Sequence, residues 1–398
     1  MRIVSFSPYA PSRDVKHAGG LCLYHHAATL GRDHTVVLVA PDDDPENHAA
    51  LAQGPPGVAI RLVPTRPRRA GIGPRVGRHL LWLMDAPSAP RRVQRAVGAD
   101  AGLWRLVRHA DLVELHFDYS LQFVEQVRRV APSTPVVAVI YELFSAALAS
   151  RRRHASPMPR LEAAMLLSRA RRRERSLLDR TSAVLVLADR DRQELRQLGV
   201  STDVEVIPPW LDPVPQVPVA EREVVLFVGA LWRWENVHAV DWLLRAVWPI
   251  VRRHRPAAHL MLVGADPPAT LLRLRRPDVT VTGFVPELSA YYSAARCVVA
   301  PVQIGGGIQT KVPQAMLYGL PVVATVFSAQ GLGDDREWGA LAGVHDSPEE
   351  FARAVIDLLV DREHAQCAGD RARRWALPRW SADRFTERLR NFYGRYAA

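Results

Sequence analysis

The residues best suited to chemistry are three consecutive glycines, Gly305, Gly306 and Gly307, with Lys311 four positions after the last of them. Glycine lets the backbone approach a ligand closely and adopt positive φ angles. The sequence predicts that these glycines open directly into a helix, whose first turn presents unbonded amide N–H groups and positive partial charge. Such a turn can bind a diphosphate without a side chain, and Lys311 would add a full charge. A tight strand-to-helix turn without a ligand is the alternative, because glycine is an ordinary turn residue.

Two side chains in the first half of the chain are candidates for acid–base work because they follow or end predicted strands. Glu142 comes after an apolar run at 136–140, where a carboxylate can orient a hydroxyl group or accept a proton. A structural role, in which Glu142 accepts a hydrogen bond from a backbone N–H, is equally open. His116 ends another apolar run and is the rival candidate, although a lone histidine at a strand end is more often structural.

A second glycine-bearing segment, residues 16–20, follows the first predicted strand and contains Gly19 and Gly20. It is predicted to be a loop that precedes a helix at 21–30. Lys16 in this segment and Lys311 are the two lysines of the chain. Both lie in glycine-bearing segments, which fits a second loop that touches a ligand.

Alternating strands and helices must position these residues. The continuous apolar runs of the first half read as strands buried on both faces of a parallel sheet, at 3–7, 35–40, 112–116, 136–140, 183–187 and 204–207. A second series of such runs lies at 224–228, 259–264, 279–282, 297–300 and 321–325. Helical patterns separate the runs, so the sequence predicts an α/β fold with doubly wound sheets. Ligands of such sheets bind at the carboxyl ends of the strands.

Five prolines between positions 208 and 218 separate the two series. Prolines without a period are typical of a semi-rigid linker. We therefore predict a first Rossmann-like domain at 1–207, a hinge linker at 208–221 and a second Rossmann-like domain at 222–377. The remaining segment, 378–398, is predicted to form a helix that packs back on the first domain.

The composition limits the class of protein. The chain has 398 residues, of which 48% are hydrophobic, so two domains with sizeable cores can form. Three cysteines, Cys22, Cys297 and Cys367, are too few and too far apart to suggest a disulfide framework or a zinc site. There is no pattern of a signal peptide and no apolar run long enough for a spanning helix. These features predict a cytoplasmic protein without a metal site.

The net charge of +11 comes from arginines, which cluster at 66–95, 151–153 and 171–173. One interpretation is a solvated basic face. The other is a surface that attracts phosphates or anionic lipid head groups, with peripheral contact at the inner membrane face. The clusters lack interleaved aromatic residues and a recognition module, which argues against nucleic-acid binding.

The segment 305–325 reads Gly-Gly-Gly-Ile-Gln-Thr-Lys-Val-Pro-Gln-Ala-Met-Leu-Tyr-Gly-Leu-Pro-Val-Val-Ala-Thr. It resembles the donor-site signature of family 4 glycosyltransferases. Segments at 173–191, 226–242, 259–264 and 279–285 resemble other parts of the family in the same order. The resemblance covers nearly the whole chain and implies the GT-B fold, two Rossmann-like domains that face a central cleft. It also implies a retaining transfer from a nucleotide diphosphate sugar, without a tightly bound cofactor or a metal held by the protein.

The resemblance assigns residues to the donor site. Arg233 and Lys311 would neutralise the leaving diphosphate, and Phe284 with Val285 would contact the base. Donor-binding residues carried over from the family are Gly19, Gly20, Gly229, Phe284, Val285, Gly305, Gly306, Gly307, Ile308 and Gln314.

The sequence departs from the family at two places. Gln314 stands where the family usually has a glutamate that holds the ribose, so an acceptor oxygen remains but its charge is lost. Gly306 stands at the position of an earlier glutamate, as in the triple-glycine branch of the family. Tyr141 and Glu142 stand where many members have histidine followed by aspartate, and this leaves Glu142 and His116 as candidate catalytic residues.

Together these features predict a retaining glycosyltransferase, with a uridine diphosphate sugar as the default donor. The sequence does not name the acceptor, which is a small molecule such as a natural product, a lipid-linked compound or another anionic compound. It also does not give the oligomeric state. A catalytically silent GT-B protein that activates another transferase is the alternative, motivated by Gln314 and Tyr141. A nucleotide-sugar epimerase on the same fold is the third hypothesis.

Overall fold

The computed structural model describes residues 1–13, 15, 18–43, 45–65, 89–154, 157–274, 276–333 and 335–397. Lys16, His17 and the arginines between positions 66 and 88 lie outside the described residues. The chain divides into two compact units. The first unit comprises Met1–Leu187, Asp191–Pro209 and Phe385–Ala398, and the second comprises Ala188–Arg190 and Trp210–Arg384.

A parallel sheet of seven strands forms the centre of the first unit, in the order β3-β2-β1-β4-β5-β6-β7. Its strands are β1 Arg2–Phe6, β2 Thr35–Pro41, β3 Val58–Val63, β4 Leu112–His116, β5 Val136–Ile140, β6 Ala183–Val186 and β7 Val204–Val206. Every residue of β4 and β5 is buried, as expected for strands covered by helices on both faces. The strand order reverses beside β1, so the carboxyl ends of β1 and β4 flank the crevice in which such sheets bind ligands.

The helices of the first unit connect these strands. They are α1 Ala18–Asp33, α2 Pro45–Gln53, α3 Arg91–Ala99, α4 Ala101–Arg108, α5 Phe117–Leu121, α6 Val124–Val130, α7 Phe144–His154, α8 Pro157–Leu178 and α9 Asp189–Leu198. Helix α1 begins three residues earlier than predicted, so Gly19 and Gly20 lie in its first turn rather than in a loop. The free amide groups of a first turn tolerate glycine, which explains the difference.

The second unit contains a parallel sheet of six strands in the order β10-β9-β8-β11-β12-β13. Its strands are β8 Val224–Val228, β9 His259–Val263, β10 Val279–Gly283, β11 Cys297–Ala300, β12 Val322–Ala324 and β13 Gly343–Val344. Here the order reverses beside β8, so the carboxyl ends of β8 and β11 form the corresponding crevice.

The helices of the second unit are α10 Trp234–Trp242, α11 Trp248–His254, α12 Ala269–Leu272, α13 Ser289–Ser293, α14 Lys311–Tyr318, α15 Val326–Ala329, α16 Pro348–Val360 and α17 Arg362–Arg379. A π-helical turn at Leu243–Val247 joins α10 to α11. Pro249 at the start of α11 lacks the N–H that would continue regular bonding, which accounts for the interruption. Helix α14 ends at Gly319, whose φ of 82° is the left-handed conformation that terminates helices.

The proline-rich segment after β7 is attached to the second unit by backbone hydrogen bonds. Leu211 donates to Trp380, Val217 to Tyr318 and Ala220 to Ala295. Val217 is also buried in the core of this unit. Residues 210–221 therefore pack on the second unit as an ordered strap.

The last helix, α18 Ala382–Gly394, places its apolar face on the first unit. Its buried residues recur at helical spacing and are Phe385, Leu389, Phe392 and Tyr393. Arg390 on its polar side pairs with Asp33 at 2.6 Å. Within the described ranges, no helix has the length and apolar character needed to cross a membrane.

Candidate functional site

The candidate donor site begins where the loops after β8 and β9 meet. A Cβ atom at Gly264 would lie only 1.8 Å from the carbonyl oxygen of Gly229. No side chain fits at Gly264 unless the backbone moves, so glycine is required for the two loops to approach. The carboxyl end of β8 at Gly229 is thereby packed directly against the residue that follows β9.

Lys311 comes from α14 and reaches the same position. Its Nζ donates a hydrogen bond of 2.6 Å to Asn236 Oδ1 and lies 4.5 Å from the centre of the Phe227 ring. A Cβ atom at Gly229 would lie 3.0 Å from this Nζ, so the ammonium group sits directly beside the backbone of the β8 loop. Asn236 in turn donates to the carbonyl of Ala230 at 2.8 Å, which keeps its amide oxygen turned toward the lysine.

The electrostatics of Lys311 follow from its surroundings. The residue is only 8% exposed. Burial, reinforced by the charge of Arg233, lowers the pKa of Lys311 to about 7, and the carboxylate of Glu235 opposes the shift. The nearest groups are an amide and an aromatic ring, which leave the charge of the lysine incompletely neutralised. An anion that reached this position would favour the ammonium form.

Arg233 and Glu235 form an ion pair of 2.6 Å beside the lysine. Glu235 is buried, whereas the guanidinium of Arg233 remains partly exposed. A Cβ atom at Gly305 would lie 2.9 Å from Glu235 Cγ, and the φ of Gly305 is 126°. Glycine is thus favoured at 305 both by the backbone conformation and by the close approach of the Glu235 side chain.

The structure therefore brings together four residues that the sequence singled out, namely Gly229, Arg233, Gly305 and Lys311. The glycines do not open directly into the helix as predicted. Helix α14 begins at Lys311, and residues 308–310 separate it from Gly307, whose φ is 64°. The positive φ angles at 305 and 307 keep this segment out of the helix, so the loop and the first turn are separate groups of amide donors.

The other predicted donor residues lie around this centre. Ile308 is half-buried and packs against the core of the unit, and Gly306 is buried. Gln314 is half-buried on α14, one turn after Lys311. Phe284 and Val285 follow β10, two strands away from β8 in the sheet, and the Phe284 side chain is 56% exposed.

His116 lies in the interior of the first unit. It is 1% exposed, its Nε2 lies 3.2 Å from Glu114, and its Nδ1 lies 3.2 Å from the hydroxyl of Tyr141. Burial lowers the pKa of His116, against the nearby carboxylate of Glu114. These contacts occupy both ring nitrogens, so His116 has no free nitrogen for a substrate.

Glu142 is half-buried at the carboxyl end of β5. It belongs to a group of acidic residues with Asp118 and Glu174. Burial raises the pKa of Asp118 well above its usual range, and the charges of Glu174 and Glu142 add to the shift. Glu174 accepts a hydrogen bond of 3.1 Å from the backbone N–H of Ser145. Gly19 lies on the same edge, because a Cβ there would meet the Phe117 ring at 3.5 Å.

Sequence reasoning missed the residues that hold the candidates in place. Glu235 and Asn236 follow directly on Trp234, and this adjacent pair of polar residues in the first turn of α10 was the available signal. Glu114 was signalled in a similar way by an acid within the apolar run Leu112–His116. The partners of these residues are distant in sequence, so no spacing pattern could reveal the contacts.

Two family models match the chain. Residues 20–210 match the glycosyl transferase 4-like domain, and residues 222–361 match the family described as glycosyl transferases group 1. The chain belongs to the group 1 glycosyltransferases. The match at 20–210 spans β2 to β7 of the first sheet. The match at 222–361 spans all six strands of the second sheet and contains Gly229, Arg233 and Lys311.

A curated relative of this glycosyltransferase is the GDP-mannose-dependent alpha-(1-6)-phosphatidylinositol monomannoside mannosyltransferase of Mycobacterium tuberculosis. The two are 27% identical over 248 residues, and the match covers 55% of this chain and 63% of the relative. The chain thus matches less than two thirds of the length of that relative.

Solved glycosyltransferase structures share the fold. Sucrose-phosphate synthase from Thermosynechococcus elongatus superposes with a TM-score of 0.71 at 17% identity, covering 99% of this chain and 98% of that one. HepE from Anabaena, in complex with UDP and glucose, superposes with a TM-score of 0.68 at 16% identity over 99% and 100% of the two chains. These likenesses confirm the predicted GT-B fold class with its two Rossmann-like sheets.

Proposed function

We propose that this glycosyltransferase transfers a sugar, with retention of anomeric configuration, from a nucleotide diphosphate sugar that binds at the carboxyl ends of β8 and β11. The observation that carries the proposal is the buried ammonium group of Lys311. It lies beside the backbone of Gly229, hydrogen-bonded to Asn236 rather than ion-paired to a carboxylate. A buried cation beside a glycine backbone suits an anionic ligand such as a diphosphate.

The transfer step would place negative charge on the departing diphosphate as its bond to the sugar breaks. Lys311 and Arg233 are positioned to stabilise that charge, because fixed cations in a partly buried site act more strongly than cations in water. Arg233 would leave Glu235 in part to meet the diphosphate. The amide groups of residues 305–307 and of the first turn of α14 would add hydrogen bonds.

The nucleoside would extend from the diphosphate toward the end of β10. Phe284 offers an exposed aromatic ring for the base, and Val285 offers an apolar contact. Gln314 would bind the ribose hydroxyls through its amide, which can both donate and accept hydrogen bonds. Uracil is the default base from the family resemblance, whereas the name of the mycobacterial relative specifies GDP-mannose, so guanine is the second candidate.

The acceptor would bind the first unit at the carboxyl ends of β1, β4 and β5, where Glu142 can orient or deprotonate a hydroxyl group. Exposed Arg171 and Arg172 on α8 give this unit a basic surface. They favour an anionic or lipid-linked acceptor and peripheral contact with an anionic membrane. The name of the mycobacterial relative, which specifies a phosphatidylinositol monomannoside, is consistent with that class of acceptor.

The proposal is tested by calorimetric titration of the full chain with UDP and with GDP. We expect one nucleotide to bind at a single site, and Lys311→Ala to weaken it by about 100-fold, as expected for loss of a charge-assisted contact. Gln314→Ala should weaken binding by about tenfold through loss of the ribose contacts. The matched control is Arg245→Ala, which removes an exposed arginine paired with Asp241 outside the site.

Equal affinity of Lys311→Ala and the wild type would contradict the proposed position of the diphosphate. If neither nucleotide binds to the wild type, the donor-site proposal itself fails. If one nucleotide does bind to the wild type, its base determines which donor sugars and acceptors are screened next.

A further inference from the structure

A buried carboxylate joins the C-terminal helix to the first sheet. Glu114, in the middle of β4, is 1% exposed. Its Oε1 lies 2.7 Å from His26 Nε2 and accepts a hydrogen bond from the Tyr393 hydroxyl of α18. Its Oε2 lies 3.2 Å from His116 Nε2 and accepts a hydrogen bond from the Ser5 hydroxyl. Four donors therefore surround one carboxylate, which is how a buried carboxylate is kept ionised.

The direction of each hydrogen bond follows from the donors available. A carboxylate only accepts, so His116 must carry its proton on Nε2 to bond to Glu114. The Nδ1 of a neutral His116 is then an acceptor, and its partner at 3.2 Å is the hydroxyl of Tyr141. Tyr141 thus donates to His116, and His116 donates to the carboxylate that also binds Tyr393. A single chain of hydrogen bonds connects α18 to the residue that follows β5.

Tyr141 in turn supports a residue with an unfavourable backbone. Its ring stacks on Phe117 with the ring centres 4.0 Å apart and the planes 14° from parallel. Phe117 directly follows β4 and has a φ of 61°, a left-handed conformation that large side chains adopt only when their surroundings enforce it. The Phe117 ring also reaches the first turn of α1, where its Cε1 lies 3.5 Å from a Cβ built at Gly19.

We propose that Glu114 and Tyr393 are positioning residues of the transferase, which act through His116 and Tyr141 to hold Phe117 against Gly19. This arrangement fixes the geometry at the carboxyl ends of β1, β4 and β5. The inference rests on the proposed function, because this edge of the sheet is where the acceptor would bind. It gives α18 a role in sugar transfer in addition to its role in covering the core of the first unit.

Tyr393→Phe is the decisive variant, because it removes one hydroxyl group and keeps the buried ring. Tyr396→Phe is the matched control on the same segment. Tyr396 is half-buried, and its ring packs on Phe392. Neither variant removes a residue that contacts the donor.

The first measurement is hydrogen–deuterium exchange of peptides that cover residues 117–121 and 141–145. In Tyr393→Phe we expect exchange in these peptides to accelerate by about fivefold, with no change in the strands of the second unit. Tyr396→Phe should exchange like the wild type. Acceleration spread evenly over all protected peptides of the first unit would overturn the proposal, because it would indicate general destabilisation.

The second measurement is steady-state transfer with the sugar nucleotide whose base binds in the titration. Tyr393→Phe should lower kcat by about tenfold while the KM for the donor stays within about twofold, since positioning affects the transition state more than donor binding. An unchanged kcat would overturn the positioning role. If the wild type binds neither UDP nor GDP, the proposed function fails, and the exchange measurement still tests the chain of hydrogen bonds.

The third measurement is the metal content of the purified full chain. His26, Glu114 and His116 each offer a ligand atom, and these atoms lie within 4.8 Å of one another. The chain of hydrogen bonds requires that the protein retain no stoichiometric zinc. One equivalent of zinc that is lost in His26→Ala would overturn the proposal, because the imidazole nitrogens would then bind the metal instead of Glu114.

Discussion

At the scale of the residue, the proposed donor site would couple the protonation of Lys311 to ligand binding. Burial lowers its pKa to about 7, so the free protein holds a mixture of ammonium and neutral amine near neutral pH. The diphosphate of the proposed donor would bind the ammonium form. Above that pKa, part of the binding free energy is used to take up a proton, and the apparent affinity falls as the pH rises.

We therefore expect the affinity for the intact sugar nucleotide to fall by about tenfold between about pH 6 and about pH 8, the range in which a group with this pKa loses its charge. The intact donor is the appropriate ligand, because its diphosphate carries no proton in this range. Calorimetric titration at several pH values measures the effect. The matched control is Lys311→Arg, whose guanidinium stays charged. An equal pH dependence in the two proteins would exclude Lys311 as the titrating group.

At the scale of the element, the candidate donor site depends on how closely the loops after parallel strands can approach. Gly264 directly follows β9, and a side chain there would collide with the carbonyl of Gly229. The β8 loop carries Arg233, and α10 carries Asn236, so any displacement of this loop moves the partners of Lys311. The site is built from the packing of strand ends and not from one contiguous motif.

Gly264→Ala should therefore destabilise the protein by about 3 kcal/mol, because the new methyl group forces the backbone of the β8 loop to move. Nucleotide affinity should fall together with stability. Gly339→Ala is the control, since a Cβ at Gly339 meets nothing within 4 Å. Urea denaturation followed by circular dichroism compares the two variants. Equal stability would show that the loops have room to separate.

At the scale of the whole molecule, the chain returns to its first unit through α18. The apolar face of this helix is buried there, and Leu389 is fully buried. The stability of the first unit thus depends on residues encoded at the far end of the chain. Folding of that unit requires contacts between its first and last segments, which are separated by the whole second unit.

Leu389→Ala should lower the stability of the first unit by about 3 kcal/mol, a typical loss for a leucine removed from a core. Leu377→Ala, on α17, is the matched control because Leu377 is 44% exposed. Scanning calorimetry of the full chain should show a lower melting temperature for one transition in Leu389→Ala only. A joint shift of both transitions would mean that the two units unfold as one.

The sequence by itself determined the fold class and predicted the centre of the candidate donor site. Apolar runs of four to six residues between helical patterns indicate buried parallel strands wherever they occur, because both faces of such strands must be apolar. The glycines at 305–307 and Lys311 lie within seven residues, so local spacing was enough to propose a site for an anion. For the strap at 210–221, the proline content predicts an extended chain. It does not predict the surface of the second unit on which that chain packs.

Only the tertiary structure decided which residues hold the candidate site residues in position. Lys311 meets Asn236 across 75 positions of the chain, and Tyr393 meets Glu114 across 279 positions. Such pairs leave no periodic signal, because the approach of two elements depends on sheet order and on helix packing rather than on local propensity. For the same reason the sequence suggested His116 as a catalytic candidate, whereas the fold encloses it between Glu114 and Tyr141. Residue type and spacing specify what chemistry is available, and burial decides which groups can perform it.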